Sequence, residues 1–282
     1  MSLLIAALWL GGQAYDPETE AIMRRRKQPA QAAVAPAAAP VLPVPAEMAA
    51  PFQSCLDAAA EAPDKGIEQA QRWHLAGGGF YARHCMGFAY AQSGRWATAA
   101  IAFQQAADEA ELAGQRAQAA RLWGQAGNAA LAASDFARAR TDFDAGLAIG
   151  VPDGLEKGEL HLDRARALVA LADLPGARES LDVALDHAPN DPLAWLLSAT
   201  LARRMDQMGV AQAHIARAVA LSPDDASVAL EEGNIAILTG HEDIARSAWQ
   251  RAVRLAPDTP AAKAASENLG SLPPEPSARP TR

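Results

Sequence analysis

The sequence predicts an all-α fold made of repeated antiparallel helix pairs, and two observations support this. First, 70 of the 282 residues are alanine, a residue that favours helices and is depleted from strands. Second, small residues and large apolar residues recur at fixed distances through the middle of the chain, a pattern typical of stacked helical repeats. Because half of the residues are apolar, the chain can bury enough surface to fold.

When five successive segments of the sequence are written as rows one below another, four columns of similar residues align without gaps. The first column is small, the second (twelve positions later) is always alanine, the third (four later) is large and apolar, and the fourth (three later) is small. Successive rows are 40, 38, 34 and 34 residues apart. The columns are Gly87, Gly127, Ala165, Ala199 and Gly233; Ala99, Ala139, Ala177, Ala211 and Ala245; Phe103, Phe143, Leu181, Ile215 and Trp249; Ala106, Gly146, Ala184, Ala218 and Ala252.

This spacing predicts two helices per repeat, joined by a short turn. The small residues let the two helices approach closely, and the large residue fills the space beside them. Turn-forming residues stand where a first helix should end, for example at Ser93 and Gly94. Proline interrupts the chain between successive units, at Pro189, Pro223 and Pro257.

The columns and turns resemble the tetratricopeptide repeat (TPR), whose repeats are 34 residues long. Trp123 and Trp195 stand four positions before the first column, where the family prefers Trp, and Tyr90 stands three after it, where the family prefers Tyr. The resemblance implies a right-handed superhelical solenoid of antiparallel helix pairs over residues 52–269. It comprises a degenerate pair at 52–79, repeats at 80–113, 120–153, 158–191, 192–225 and 226–259, and a capping helix at 260–269. Extra residues before Ala120 and Gly158 are expected to lengthen helices.

The two ends are predicted to lie outside the solenoid. Residues 1–14 contain an apolar run followed by small residues ending in Ala14, the pattern of a short secretory signal. The positive charges of residues 24–27 follow this run, whereas an ordinary signal has them before it. We predict export to the periplasm, with a cytoplasmic protein that has a buried N-terminal helix as the alternative. Proline-rich composition predicts a disordered arm at 15–51 and a disordered tail at 270–282.

Charge and motifs exclude several classes of function. The 25 basic and 33 acidic residues leave a net charge of −8, which argues against nucleic acid as a partner, and no apolar run is long enough to predict stable membrane insertion. Residues 77–79, three glycines, read as a helix break, since no phosphate-loop spacing follows. Four of the six histidines recur every 26 or 27 residues between positions 161 and 241, out of step with the repeat, so they do not converge on a metal. We predict a non-enzyme without cofactor or metal.

The two cysteines leave two interpretations open. Cys55 lies on the degenerate opening pair and Cys85 on the first clear repeat. In an oxidising compartment they would form a disulfide that staples the weakest end of the solenoid. The alternative is two buried thiols that act as small apolar residues.

The resemblance also implies a binding site, because the concave face of a TPR solenoid is lined by first-helix residues. Asparagine on this face can bond a peptide backbone, and arginine suits carboxylates. The predicted partner is a peptide segment with an acidic or carboxylate end, although any one arginine could instead be solvated or paired with Asp or Glu. Arg166→Ala with Arg203→Ala is expected to weaken such binding and leave the fold intact. The matching positions are Tyr81, His84, Phe88, Arg121, Asn128, Glu159, Arg166, Thr200, Arg203 and Asn234.

The predicted function is therefore that of a non-enzymatic scaffold or adaptor that binds a protein or peptide partner on this face, in the bacterial periplasm. Two alternatives share the same fold. One is an accessory subunit of an envelope enzyme or assembly system, such as cytochrome maturation or outer-membrane biogenesis. The other is a TPR adaptor in the cytoplasm.

Overall fold

The computed structural model describes residues 44–273, which form two compact units, residues 44–207 and residues 208–273. Every regular element in these residues is a helix, so the all-α prediction is confirmed. The first unit contains α1 (Ala46–Glu61), α2 (Pro63–Trp73), α3 (Gly79–Gln92), α4 (Trp96–Leu112), α5 (Arg116–Ala132), α6 (Phe136–Ile149), α7 (Leu155–Ala170), α8 (Leu174–His187) and α9 (Pro192–Arg204). The second unit contains α10 (Met208–Leu221), α11 (Ala226–Leu238), α12 (Glu242–Leu255) and α13 (Pro260–Ser271).

The helices follow the predicted pairwise order. Within each unit, consecutive helices pack against each other, and the predicted capping helix is α13. A five-residue π-helical segment, His74–Gly78, joins α2 to α3. The five predicted repeats contain α3 and α4, α5 and α6, α7 and α8, α9 and α10, and α11 and α12.

The packing role of the small residues is confirmed. A Cβ atom added at Gly87 would lie 2.6 Å from the Phe103 ring, and one added at Gly127 would lie 2.5 Å from the Phe143 ring. Both distances are far shorter than van der Waals contact, so only glycine permits these helices to approach so closely. The alanines of the second column are all fully buried: Ala99, Ala139, Ala177, Ala211 and Ala245.

Six of the turns between helices share one geometry. The middle residue of each of these turns is left-handed, and the amide N–H of the next residue donates to a carbonyl five positions earlier, as from Arg95 to Tyr90. This is the arrangement that closes a helix and satisfies its last carbonyls. The left-handed residues are Gly94, Gly114, Ser134, Ala172, Asp206 and Gly240.

The structure corrects the predicted boundary of the N-terminal arm, because α1 begins at Ala46, inside the segment 15–51 that was predicted to be disordered. Pro51 is the sixth residue of the helix and removes only one backbone hydrogen bond, that to the carbonyl of Glu47. Val44, Met48 and Phe52 are spaced by four and pack together against the core of the first unit, which outweighs the low helix propensity of proline. At the other end, α13 continues to Ser271, two residues into the predicted tail.

Both predicted helix lengthenings occur. α4 and α5 have 17 residues each, which accommodates the extra residues before Ala120. Of the extra residues before Gly158, 155–157 extend α7 at its start, so that α7 has 16 residues, and a loop at 150–154 precedes it. Gly150 and Gly154 have φ of 101° and 111°, a region that interrupts a helix.

Several predictions lie outside the described residues. They are the signal at 1–14, the arm at 15–43 and the tail at 274–282. Within residues 44–273, no helix has both the length and the apolar composition needed to cross a bilayer. The same residues contain no cluster of His, Cys, Asp and Glu suited to a metal ion.

Candidate functional site

The first unit contains an open groove of about 260 Å³ between α5 and α7. These are the first helices of two successive repeats, the layer from which the sequence predicted a binding face. The lining residues are Ala120, Arg121, Gly124, Gln125, Asn128, Val151, Glu156, Glu159, Leu160 and Asp163.

An ion pair bridges the two helices at one end of the groove. The Arg121 guanidinium donates to both carboxylate oxygens of Glu156, from Nη2 at 2.5 Å and from Nε at 3.3 Å. Both side chains are more than two-thirds buried. The bidentate geometry fixes the guanidinium plane and satisfies its charge within the protein.

A second polar network lies further along the same helices. Asp163 accepts from Asn128 Nδ2 at 2.9 Å on one oxygen and from Arg166 Nη1 at 2.6 Å on the other. Arg166 is only 8% exposed, and its Nη2 has no hydrogen-bond partner within the described residues. Asn128 is an exposed residue.

The charged residues of the groove differ from those expected for a partner with an acidic end. Three carboxylates, Glu156, Glu159 and Asp163, line it, against Arg121 and the adjoining Arg166. Both guanidiniums are paired with groove carboxylates. The paired alternative that the sequence left open is the one observed for these two arginines.

Four of the predicted residues are brought together here. Arg121, Asn128 and Glu159 line the groove, and Arg166 joins it through Asp163. The sequence analysis missed Glu156 and Asp163. Both could have been found from helical spacing, since positions 156, 159, 163 and 166 fall on one face of α7.

The predicted residues of α3 are covered by α1, which corrects their assignment as open contacts. The Phe52 ring lies 5.6 Å from that of Tyr81 and 5.1 Å from that of His84, centroid to centroid. Burial lowers the pKa of His84 to about 4, so its imidazole is neutral at pH 7. Burial also raises the pKa of Tyr81. Phe88 is half-buried against the same core.

The two predicted contacts on α9 differ in accessibility. Thr200 is buried, and its hydroxyl donates to the Leu196 carbonyl at 3.0 Å within the same helix. Thr200 therefore cannot be a first contact for a partner, which corrects its assignment. Arg203 is half-buried in the last turn of α9.

Asn234, in the second unit, has a structural role instead of the predicted binding role. Its Oδ1 accepts from Trp249 Nε1 at 3.1 Å and from Asn268 Nδ2 at 3.0 Å, and its Nδ2 donates to Glu231 at 3.1 Å. These bonds join α11 to α12 and α13. An amide with its donor and acceptor both engaged in this way has little capacity left for a peptide backbone.

Comparison with solved structures identifies the fold. YrrB, a TPR protein, is 20% identical, with 74% of this chain and 99% of YrrB covered at a TM-score of 0.52. The chain has the tetratricopeptide-repeat fold. PilF of Pseudomonas aeruginosa is 13% identical, with 78% of this chain and 97% of PilF covered at a TM-score of 0.62. A MamA fragment of Desulfovibrio magneticus is 17% identical, with 64% of this chain and 97% of the fragment covered at a TM-score of 0.54. No protein-family model and no curated protein matches the sequence.

A disulfide ties the degenerate opening pair to the first TPR repeat. Cys55 on α1 and Cys85 on α3 are bonded, with their Cα atoms 6.2 Å apart, and both residues are fully buried. Phe52, Leu56 and Trp73 pack around the bond. The linkage holds α1 in the position in which it covers the α3 residues of the TPR face.

The pairing of Arg166 changes what its replacement will do. We expect Arg166→Ala to lower the free energy of unfolding by about 1–3 kcal/mol, because Asp163 would keep a largely buried charge without its ionic partner. The pairing with Asp163 thus adds a cost in stability that the sequence analysis did not include. Urea unfolding followed by circular dichroism measures the change. Arg140→Ala, at an exposed position of α6, is the control, and equal stability of the two variants would contradict the expectation.

Proposed function

We propose that this chain is a non-enzymatic adaptor that holds a segment of another protein in the groove between α5 and α7. The observation that carries the proposal is the groove itself. It is open, it combines apolar walls at Ala120, Val151 and Leu160 with outward amides at Gln125 and Asn128, and it spans two successive TPR repeats. That composition suits an extended peptide, whose backbone needs hydrogen bonds and whose side chains need apolar contact.

The polar groups of the groove are already held in place before a partner arrives. Asn128 is oriented by its bond to Asp163, which leaves the Asn128 carbonyl oxygen as an acceptor for a backbone N–H. Arg121 is fixed by Glu156. Because these side chains lose little freedom on binding, the part of the entropic cost that comes from ordering them is small.

The charge of the groove favours a partner segment that contains lysine or arginine. Three carboxylates line the groove, and both arginines are already paired with carboxylates, so an acidic side chain on the partner would have to compete for them. A glutamate or aspartate on the partner would meet carboxylates, and a basic side chain would add to an existing ion-pair network. This replaces the acidic partner that the sequence favoured.

The similar TPR protein YrrB is described as having an unusual peptide-binding site. That description concerns YrrB, and it supports peptide binding as a use to which this fold is put. The site proposed for the present chain rests on its own groove residues, since a shared fold leaves function open.

The proposal includes export to the periplasm. The buried Cys55–Cys85 disulfide supports it, because structural disulfides persist in oxidising compartments and are rare in the cytoplasm. The apolar run in residues 1–14 is the second support. Cell fractionation with marker enzymes tests the location, and recovery of the protein with the cytoplasmic marker would reject it.

The groove is tested by filling it without changing its charge. We expect Gln125→Trp to reduce binding of the partner by about tenfold or more, because the indole would occupy the groove from an exposed position of α5. Crosslinking of the tagged protein in cells identifies the partner, and titration of the partner's crosslinked segment as a synthetic peptide then measures affinity.

Ala137→Trp is the matched control, since it adds the same ring at an exposed position of α6 outside the groove. The control is expected to bind like the native protein. If both variants bind equally well, the partner lies elsewhere and the proposed site is wrong. Replacement of a basic residue in the captured segment by glutamate tests the charge argument separately.

A further inference from the structure

The α5–α7 groove has a different chemical character at each of three successive helical turns. At each turn one residue of α5 lies against one residue of α7. The first pair is ionic, the second is apolar, and the third joins an amide to a carboxylate. In order they are Arg121 with Glu156, Gly124 with Leu160, and Asn128 with Asp163. The groove therefore presents different groups to successive parts of a bound segment.

The apolar turn forms a closed floor. A Cβ atom added at Gly124 would lie 3.2 Å from Leu160 Cδ1, so the two helices meet at this point. Ala120 is also buried here, and Val151 packs against the same core and forms a wall. None of these side chains can form a hydrogen bond, and the neighbouring ion pair is satisfied within the protein. The floor thus suits an uncharged apolar side chain, because a charged one would lose its water without gaining a partner.

The amide turn selects a hydrogen-bond donor. The Asp163 carboxylate only accepts, and Arg166 Nη1 already donates to its other oxygen, so Asn128 must direct Nδ2 to Asp163. The amide oxygen of the exposed Asn128 is the group left for a partner. An acceptor next to a carboxylate favours lysine, arginine, asparagine or glutamine on the partner and disfavours aspartate and glutamate.

The distance between these two turns matches the repeat of an extended peptide. Gly124 and Asn128 are four residues apart on α5, which corresponds to about 6.0 Å along the helix axis. Side chains on one face of an extended chain recur every two residues, at about 6.6 Å. Alternate residues of a segment that runs along the groove can therefore meet the floor and the amide.

We propose that the groove selects an extended segment with an apolar residue on the Gly124–Leu160 floor and a donor side chain, two positions away, at Asn128. The inference rests on the proposed adaptor function and names its partner class. The segment has Leu, Ile, Val, Met or Phe at one position and Lys, Arg, Asn or Gln two positions from it, in either chain direction.

Selection from a random peptide library tests this pattern. Seven-residue peptides displayed on phage are selected on the immobilised full-length protein, and the apolar and donor residues are expected to be enriched at a spacing of two. The consensus is then synthesised and titrated. Replacement of its apolar residue by aspartate, or a shift of the donor to a spacing of one or three, is expected to weaken binding by about tenfold.

Val151→Glu tests whether the apolar wall sets the preference. The new carboxylate lies in a groove wall supplied by the loop at 150–154, and a repeated selection is expected to replace the apolar residue by lysine or arginine. Pro152→Glu is the matched control, because it adds the same charge at the next, exposed position, outside the groove. The control is expected to keep the native motif, and circular dichroism verifies that both variants are folded.

Gln125→Trp separates failure of this inference from failure of the proposed function. Absence of enrichment, or enriched peptides that bind Gln125→Trp as tightly as the native protein, would reject the groove as a peptide site and both proposals with it. Peptides that Gln125→Trp excludes, but that lack the spacing of two or keep the same motif on Val151→Glu, would overturn only the proposed partner class.

Discussion

Reduction of the Cys55–Cys85 disulfide is expected to lower the free energy of unfolding of residues 44–207 by roughly 3–4 kcal/mol. The bond joins residues 30 positions apart, and its removal gives the unfolded chain the freedom that a closed loop of this length lacks. α1 is expected to be the most affected helix, because the only helices against which it packs extensively are α2 and α3.

Guanidinium unfolding with and without reductant measures this effect. The double variant Cys55→Ala with Cys85→Ala is the control, because reductant cannot change its stability. Reductant is expected to lower the unfolding midpoint of the native protein strongly and to leave the midpoint of the variant unchanged. An equal midpoint of the native protein in both conditions would show that packing around α1 is sufficient without the bond.

Gly233→Ala is expected to lower the free energy of unfolding of residues 208–273 by about 1–3 kcal/mol. The added methyl group would overlap the indole of Trp249, which is almost fully buried and donates to Asn234. Displacement of the ring would break this bond and disturb the Asn234 network that joins α11, α12 and α13. The loss is expected to exceed the helix-propensity gain of about 1 kcal/mol on replacing glycine by alanine.

Gly209→Ala provides the matched comparison. This glycine is also helical and in the same unit, but a methyl group there would meet nothing within 4 Å. Its replacement is expected to raise stability by up to about 1 kcal/mol. Thermal unfolding followed by circular dichroism compares the two variants. Stabilisation by both substitutions would contradict the close-packing interpretation of the first column.

The candidate site was only partly predictable, and the reason is visible in individual residues. The TPR resemblance brought Arg121, Asn128 and Glu159 to one groove, because the repeat period determines which helical positions share a face. It could not reveal that Glu156 neutralises Arg121. Such a pairing depends on the distance between two helices that are far apart in sequence.

The same limitation explains Tyr81 and Asn234. Both occupy positions that an open TPR face would expose, yet Phe52 covers Tyr81, and Trp249 and Asn268 engage Asn234. Phe52 and Asn268 come from the first and last described helices, where the repeat pattern is weakest. A pattern averaged over repeats carries least information at its ends.

The amino-acid sequence by itself determined the helical class, the helix pairs and the glycines that let them meet, because these depend on local propensity and on a period repeated five times. Tertiary structure alone decided that Pro51 lies within a helix, that Arg121 and Arg166 are paired with carboxylates, and which predicted contacts are buried. The physical reason is that burial and ion pairing are set by neighbours in space, and a side chain's neighbours in space are mostly distant in sequence.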